Sequence, residues 1–193
     1  KNPIIQVLSS ELLVFYYAFA SWKKKPLEGV SLHQNSSYVA FQVMLLHAIV
    51  LESLGFHWWL HSKAPIVSII LLLLNVYGII FILADLQAMR LNRIQHDSKG
   101  FYIPFGLMKQ AYIEYDKIDE IILDKEELLV KKRKDCLEFI CRDFEEVFPQ
   151  VILKMKDPQL VRFMYGMNKS YRFVAIKCDD PNTFIEKLRK EVN

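Results

Sequence analysis

Residues 65–84 read PIVSIILLLLNVYGIIFILA, and none of their side chains is charged. This run of 20 uncharged, mostly apolar residues is bounded by Lys63 and Asp85. A helix needs about 20 such residues to cross the roughly 30 Å hydrocarbon core of a bilayer, whereas an apolar run of about 10–14 is more typical of a buried helix in a soluble protein. The stretch therefore predicts a transmembrane helix, and the rest of the chain is interpreted relative to a bilayer.

Charge divides the chain into two halves. Residues 1–92 contain four acidic and six basic side chains, whereas residues 93–193 contain 18 acidic and 19 basic ones. This contrast predicts a membrane region followed by a soluble domain of about 100 residues, which is long enough for one small core. The formal net charge is only +3, and no basic stripe with interleaved aromatic residues is present, so we expect no nucleic-acid partner.

Two further apolar runs precede the helix described above. We expect a first span over residues 4–22 and a second over residues 37–60, while the third extends over residues 65–89. The first run ends at a tryptophan that is followed by three lysines and a proline, a pattern typical of the membrane–water interface. Residues 1–92 are therefore predicted to form a transmembrane helical region in contact with the lipid bilayer.

Basic residues predict how these spans are oriented. Lysines 23–25 follow the first span and Arg90 and Arg93 follow the third, whereas only Lys63 lies in the turn between the second and third spans. Because basic residues near span ends are enriched on the cytoplasmic side, we expect a multi-pass cell-membrane protein. Three spans with an outside N-terminus satisfy the pattern, and so do four if one helix precedes Lys1; residues 93–193 are cytosolic in both cases.

The second half is predicted to be mainly β with one closing helix, which makes the fold class α+β. The strand candidates are residues 100–106, 111–123, 128–134, 136–142, 151–156 and 171–178. Pro104 places the first of these at a sheet edge or a turn. Asp180 and Pro181 are a typical N-cap and first residue for a helix over residues 181–192, whose apolar face includes Phe184 and Leu188.

Three segments of this half resemble the bacterial pleckstrin-homology-like (PH-like) domains. They are GFYIPFGL at residues 100–107, AYIEYDKIDEI at residues 111–121 and AIKCDDPNTFIEKL at residues 175–188. The resemblance implies a curved sheet that is capped by the closing helix, and it extends to small bacterial membrane proteins that join a few spans to such a domain. It implies a non-enzymatic scaffold, accessory or immunity-type role, and it carries over no functional residues.

Ionisable residues inside the predicted spans are candidates for function, because each costs about 2.5–3.5 kcal/mol on insertion scales. The candidate metal ligands are Glu11, His47, Glu52, His57 and His61. His57 and His61 are four residues apart, a spacing that lets two imidazoles share one metal ion. One hypothesis is a zinc or iron site, or a proton relay, near the outer leaflet. The alternative is that the histidines are ordinary interfacial residues and that the glutamates pair with polar neighbours or face a second copy in a homo-oligomer.

The third span also contains polar and small residues. Asn75, Gly78 and Asp85 share one face of the helix, and we expect this to be its packing face, with Gly78 allowing a neighbouring helix to approach closely. Asp85 lies within one turn of the predicted cytosolic end, so we expect its carboxylate to extend along the helix to the interface.

Two classes of function remain open. No HExxH, GxSxG, P-loop or GxGxxG motif is present, and the cysteines at 136, 141 and 178 lack CxxC spacing, which predicts free thiols in a reducing cytosol. The first class is a non-enzymatic membrane protein that binds a partner protein or the anionic inner leaflet through residues 94–193. The second is a membrane-embedded metal-dependent enzyme, or an ion- or proton-handling protein, that uses the His/Glu set.

Overall fold

The computed structural model describes residues 3–124, 135–141 and 143–192, and their fold is α+β. Three apolar helices come first, followed by a mainly-β sheet and then a C-terminal helix. This order confirms the predicted fold class at the level of its architecture. The predicted strand over residues 128–134 lies outside the described residues.

The helices lie close to the predicted spans. They are α1 (Pro3–Phe15, continued by a π-helical segment over Tyr16–Ala20), α2 (Tyr38–His61) and α3 (Pro65–Leu91). Pro65 occupies the first turn of α3, where the N–H that it lacks would have had no partner inside the helix. Each helix is long and apolar enough to cross a membrane by its length and composition.

The second and third helices form an antiparallel hairpin. Tyr38 is hydrogen-bonded to Asp85 at one end of the hairpin, and His57 is hydrogen-bonded to Ser68 at the other. The first helix packs against the second half of α3, where small side chains allow a close fit. The residues buried between them are Val14, Ala18 and Ala84.

Two glycines lie inside the apolar helices α2 and α3. Helix α2 continues through Gly55 without interruption. At Gly78, an added Cβ would meet none of the described atoms within 4 Å outside its own stretch of helix. The prediction that Gly78 lets a neighbouring helix approach closely was therefore wrong.

The described strands form one sheet. They are β1 (Gln95–His96), β2 (Gly100–Phe105), β3 (Lys109–Glu114), β4 (Ile118–Ile122), β5 (Cys136–Phe139), β6 (Val151–Phe163) and β7 (Asn168–Ile176). Their order in the sheet is β1-β2-β3-β6-β7-β5, with β4 paired to β6. The predicted strand over residues 111–123 is divided by a 3-10 turn at Tyr115–Lys117. The pair β5/β7 is parallel and the other pairs are antiparallel.

Two prolines lie inside strands. Pro104 pairs with Gln110 in the β2–β3 ladder, and β1 pairs with β2 only at Phe101 and Tyr102, so the other side of β2 is an open edge at Pro104. Strand β6 also continues through Pro158, because the register with β7 shifts between Lys154 and Gln159. This bulge-like shift makes β6 longer than the predicted strand over residues 151–156.

The closing helix α4 (Pro181–Val192) coincides with the predicted helix over residues 181–192. Its Phe184 and Leu188 are fully buried in the main core, where the Phe184 ring meets Phe101 edge-on at a centroid distance of 5.4 Å. The His96 imidazole also packs here and is hydrogen-bonded to Tyr115 at 2.7 Å. Burial lowers the pKa of His96 to about 4, so the ring is neutral inside this core at pH 7.

Candidate functional site at the junction of helices and sheet

The loop between α1 and α2 joins the helices to the sheet. The carboxylate of Asp179, just before α4, accepts hydrogen bonds from the backbone N–H groups of Gln34 at 2.9 Å and Asn35 at 2.7 Å. Val30 in the same loop pairs with Ile94, which follows α3. These contacts bring the end of α3 and the start of α4 to one junction.

Asp85 is the central polar group of this junction. Only 6% of the residue is exposed, and its carboxylate accepts a hydrogen bond from the Tyr38 hydroxyl at 2.5 Å and another from the Leu107 N–H at 2.8 Å. The Gln42 amide donates to the same Tyr38 oxygen at 3.0 Å. The carboxylate thus links α2, α3 and the β2–β3 turn, and the prediction that it extends to the interface was wrong.

Glu11 forms a second link between helix and sheet. Its carboxylate accepts hydrogen bonds from the hydroxyls of Tyr77 at 2.9 Å and Tyr165 at 3.1 Å. The Tyr165 N–H also donates to the Ser10 hydroxyl at 3.2 Å. Tyr165 lies at the tip of the β6–β7 hairpin with a φ of 61°, a left-handed conformation that is uncommon for residues other than glycine. The hairpin tip is therefore held against α1 and α3.

The structure does not bring the five candidate metal ligands together at one place. His57 and His61 are close, with ring centroids 5.2 Å apart, and His57 is hydrogen-bonded to Ser68. Glu11 is instead bonded to Tyr77, which lies nine residues after Ser68 on α3, about 13 Å along the axis. Glu11 and the histidine pair thus contact different parts of the helical region.

The remaining two candidates are exposed on α2. His47 donates from its ring to the Val43 carbonyl at 2.9 Å, and Glu52 lines a shallow concavity with Trp59. Within the described part of the chain, no three His, Cys, Asp or Glu side chains are grouped so that they could hold a metal ion. The zinc or iron site stays a prediction from the sequence.

A cavity of about 950 Å³ lies between α1 and the outer face of the sheet. The α1 side contributes Ile5, Ser9 and Leu13, while β2 and β6 contribute Tyr102 and Arg162. Its volume falls in the upper part of the usual range for small-molecule sites, about 300–1,000 Å³.

The sequence-based prediction missed Arg162 because the predicted strand ended at residue 156, before the Asp-Pro pair. The signal that could have found it is the place of Arg162 between Val161 and Phe163, a β-branched and an aromatic residue of the kinds enriched in strands.

Basic residues gather at the end of the helices where the sheet begins. The Arg90 guanidinium donates to the carbonyl oxygens of Trp22 at 3.3 Å and Lys24 at 3.4 Å, which brings the lysines after α1 next to the end of α3. Lys63 lies in the turn at the opposite end of the α2–α3 hairpin, with its amine 4.4 Å from the centre of the Trp59 ring. The helical region therefore has one strongly basic end.

None of the three cysteines forms a disulfide in the described part of the chain. Burial is the main cause that raises the pKa of both Cys141 and Cys178 to about 12. Thiols with so high a pKa are protonated at pH 7 and are weak nucleophiles, so these two side chains act in packing.

No family model, curated protein or solved structure matches this chain.

Proposed function

We propose that this protein is a multi-pass integral membrane protein that displays a cytosolic PH-like domain as a non-enzymatic interaction module. In this role, as a scaffold, accessory or immunity-type protein, the helices fix the domain at the inner face of the membrane and the domain binds a partner protein or anionic lipid. The observation that carries the proposal is the pair of carboxylate links, at Asp85 and Glu11, that hold the sheet on the helices.

The outward-facing side chains of the helices support a membrane location. Many large apolar residues on α2 and on the first half of α3 are exposed, for example Leu51 at 70% and Ile66 at 74%. A contiguous apolar surface of this extent is rare on a soluble monomer and is covered by lipid in a membrane protein. Helix α1 has the same character, although the hairpin tip covers part of it through Glu11 and Ser10.

The charge distribution supports a cytosolic domain. The lysines after α1 and the arginine near the end of α3 lie together, and β1 begins shortly after that end. Because basic residues near span ends are retained on the cytoplasmic side, this end is assigned to the cytosol. The turn that contains Lys63 is then assigned to the opposite face of the membrane.

The sheet and closing helix support the PH-like interpretation, since α4 buries Phe184 and Leu188 against the sheet. The domain also exposes large apolar side chains, which include Phe144 at 62% and Tyr112 at 41%. Exposed aromatic residues are enriched in the cores of protein interfaces. They therefore offer a surface through which the domain can bind a partner.

We expect a photoactivatable phenylalanine analogue at position 144 or 112 to give a defined protein adduct when intact cells that contain the full chain are irradiated. Both positions expose an aromatic ring on the domain, so the analogue keeps an exposed aromatic side chain at each of them. The adduct is detected as a discrete band above the unmodified chain and is identified by mass spectrometry.

The matched control is the same analogue at Trp58, which is 84% exposed near the end of α2. We expect this position to react with lipid and to give no discrete protein band. A partner role for the domain is contradicted if neither domain position gives an adduct, or if the same band forms at Trp58.

A further inference from the structure

The cavity between α1 and the sheet has one apolar wall. Ile5 and Leu13 line it from α1, and they are 62% and 49% exposed. Both residues belong to the row of exposed apolar side chains along α1. The apolar wall is therefore continuous with the part of α1 that faces lipid, and a hydrocarbon chain beside α1 can enter the cavity from the side.

The opposite wall is polar and carries a positive charge. Arg162 lines it with Tyr102 and Asn168, and none of the described residues around the cavity is Asp or Glu. No carboxylate of a described residue lies within 4 Å of the guanidinium in an ion pair. Burial raises the pKa of the Tyr102 hydroxyl, the charge of Tyr17 adds to the rise, and the charge of Arg162 opposes it.

The second cation around the cavity is directed elsewhere. The Lys109 amine donates to the Glu138 carbonyl, and it lies 4.6 Å from the centre of the Phe105 ring. Its charge is thus engaged away from the outer face of the sheet. Arg162 remains as the anion-binding group of the cavity, with neutral hydroxyl and amide groups beside it.

The β6–β7 hairpin beside the cavity extends along the helices to the middle of α3. The hairpin tip at Tyr165 meets Tyr77, which lies 14 residues before the end of α3, about 21 Å along the axis. Near the tip, Leu160 and Met167 are 64% and 58% exposed. Because this level is near the middle of α3, the exposed apolar residues of the hairpin are suited to contact with hydrocarbon chains beside the helices.

From these observations we infer that the cavity binds a phosphate-bearing amphiphile, with the phosphate on Arg162 and the hydrocarbon chain along Ile5 and Leu13 of α1. The fork of N–H donors on arginine matches the oxygens of a phosphate, and the neighbouring amides can donate to the same group. A membrane phospholipid is the source that the structure favours, since the apolar wall opens towards lipid. This inference rests on the proposed membrane location, and it names a ligand for the domain.

The test is a titration of the full chain in maltoside micelles, followed by native mass spectrometry. The probes are dioleoyl phosphatidylglycerol, oleate, glycerol 3-phosphate and inorganic phosphate. We expect one phosphatidylglycerol to bind saturably and R162A to weaken it by about 10-fold or more, because a charge-assisted hydrogen bond is lost. S9W, which fills the apolar side of the cavity, is expected to abolish binding while Arg162 is retained.

The matched control is R172A, which removes an exposed arginine on the neighbouring strand β7 that does not line the cavity. The affinity of R172A for phosphatidylglycerol should equal that of the native chain. Thermal unfolding of each variant in the same micelles verifies that it is folded. Equal binding by the native chain, R162A and S9W would overturn the inference. If inorganic phosphate or glycerol 3-phosphate binds as tightly as phosphatidylglycerol, the inference that the ligand is a lipid is overturned. If oleate binds as tightly as phosphatidylglycerol, the inference that the ligand carries a phosphate is overturned.

Failure of this inference is distinguishable from failure of the proposed function. The titration in micelles does not depend on which side of the membrane the domain occupies. Suppose that the domain is cytosolic and that a protein adduct forms at position 144, but that phosphatidylglycerol does not bind saturably. This result would contradict the inferred ligand and leave the proposed function in place.

Discussion

The substitution D85A is expected to lower the free energy of unfolding of the full chain by about 2–4 kcal/mol. Its carboxylate is the acceptor for the Tyr38 hydroxyl and the Leu107 N–H, and each buried donor that is left without a partner costs about 1–3 kcal/mol. Relief of the buried charge offsets part of this loss, because no described cation is paired with Asp85. The measurement is thermal unfolding in detergent, where we expect the midpoint to fall by roughly 5–10 °C.

Two further variants distinguish the loss of the Asp85 hydrogen bonds from the loss of a negative charge in general. D157A removes an exposed carboxylate in β6 and should change stability by less than about 0.5 kcal/mol. In a Y38F background, D85A should cost less than in the native chain, since one of the two donors is already absent. A D85A variant as stable as D157A would contradict the link between α2, α3 and the β2–β3 turn.

The substitution G106A is expected to destabilise the chain by about 2–4 kcal/mol. Gly106 has a φ of +54°, which costs an L-residue roughly 1–2 kcal/mol. An added Cβ would also lie 2.2 Å from the Asp85 carboxylate oxygen, so the hydrogen bond from Leu107 would be displaced. The loss is measured by the same thermal unfolding in detergent.

The control for this substitution is G55A, the same chemical change in α2. An added Cβ at Gly55 meets no described atom within 4 Å outside its own stretch of helix, and alanine is favoured over glycine inside a helix by about 0.5–1 kcal/mol. G55A is therefore expected to be neutral or stabilising. In a D85A background the added Cβ at position 106 no longer meets the Asp85 carboxylate. The loss in free energy of unfolding caused by G106A should then fall to the cost of the left-handed backbone conformation alone. Equal costs in both backgrounds would contradict the close contact between Gly106 and Asp85.

The helices could be predicted from the sequence because their signal is local. The length and composition of an uninterrupted apolar run, such as residues 65–84, are enough to predict a helix, and the structure has a helix there. The closing helix was equally accessible, since Asp180 and Pro181 mark its start and the apolar stripe follows at helical spacing. The order of helices, sheet and closing helix follows from these local signals.

The junction could not be predicted because its contacts are far apart in the chain. Asp85 contacts Tyr38, 47 residues earlier, and Leu107, 22 residues later, and no periodicity relates these positions. Glu11 likewise meets Tyr165 across 154 residues. Two polar residues inside the apolar helices, Asp85 and Glu11, did mark positions of long-range contacts, but their partners became visible only when the sheet was folded against the helices.

The most direct test of the membrane-anchored cytosolic domain is cysteine labelling of intact cells with a membrane-impermeant maleimide. S62C lies in the turn at one end of the α2–α3 hairpin and K25C at the basic end after α1, and both positions are exposed. Each is compared with the native chain, whose three thiols set the background. We expect S62C to be labelled in intact cells and K25C only after the cells are permeabilised. Labelling of K25C in intact cells would contradict a cytosolic domain held at the basic end of the helices.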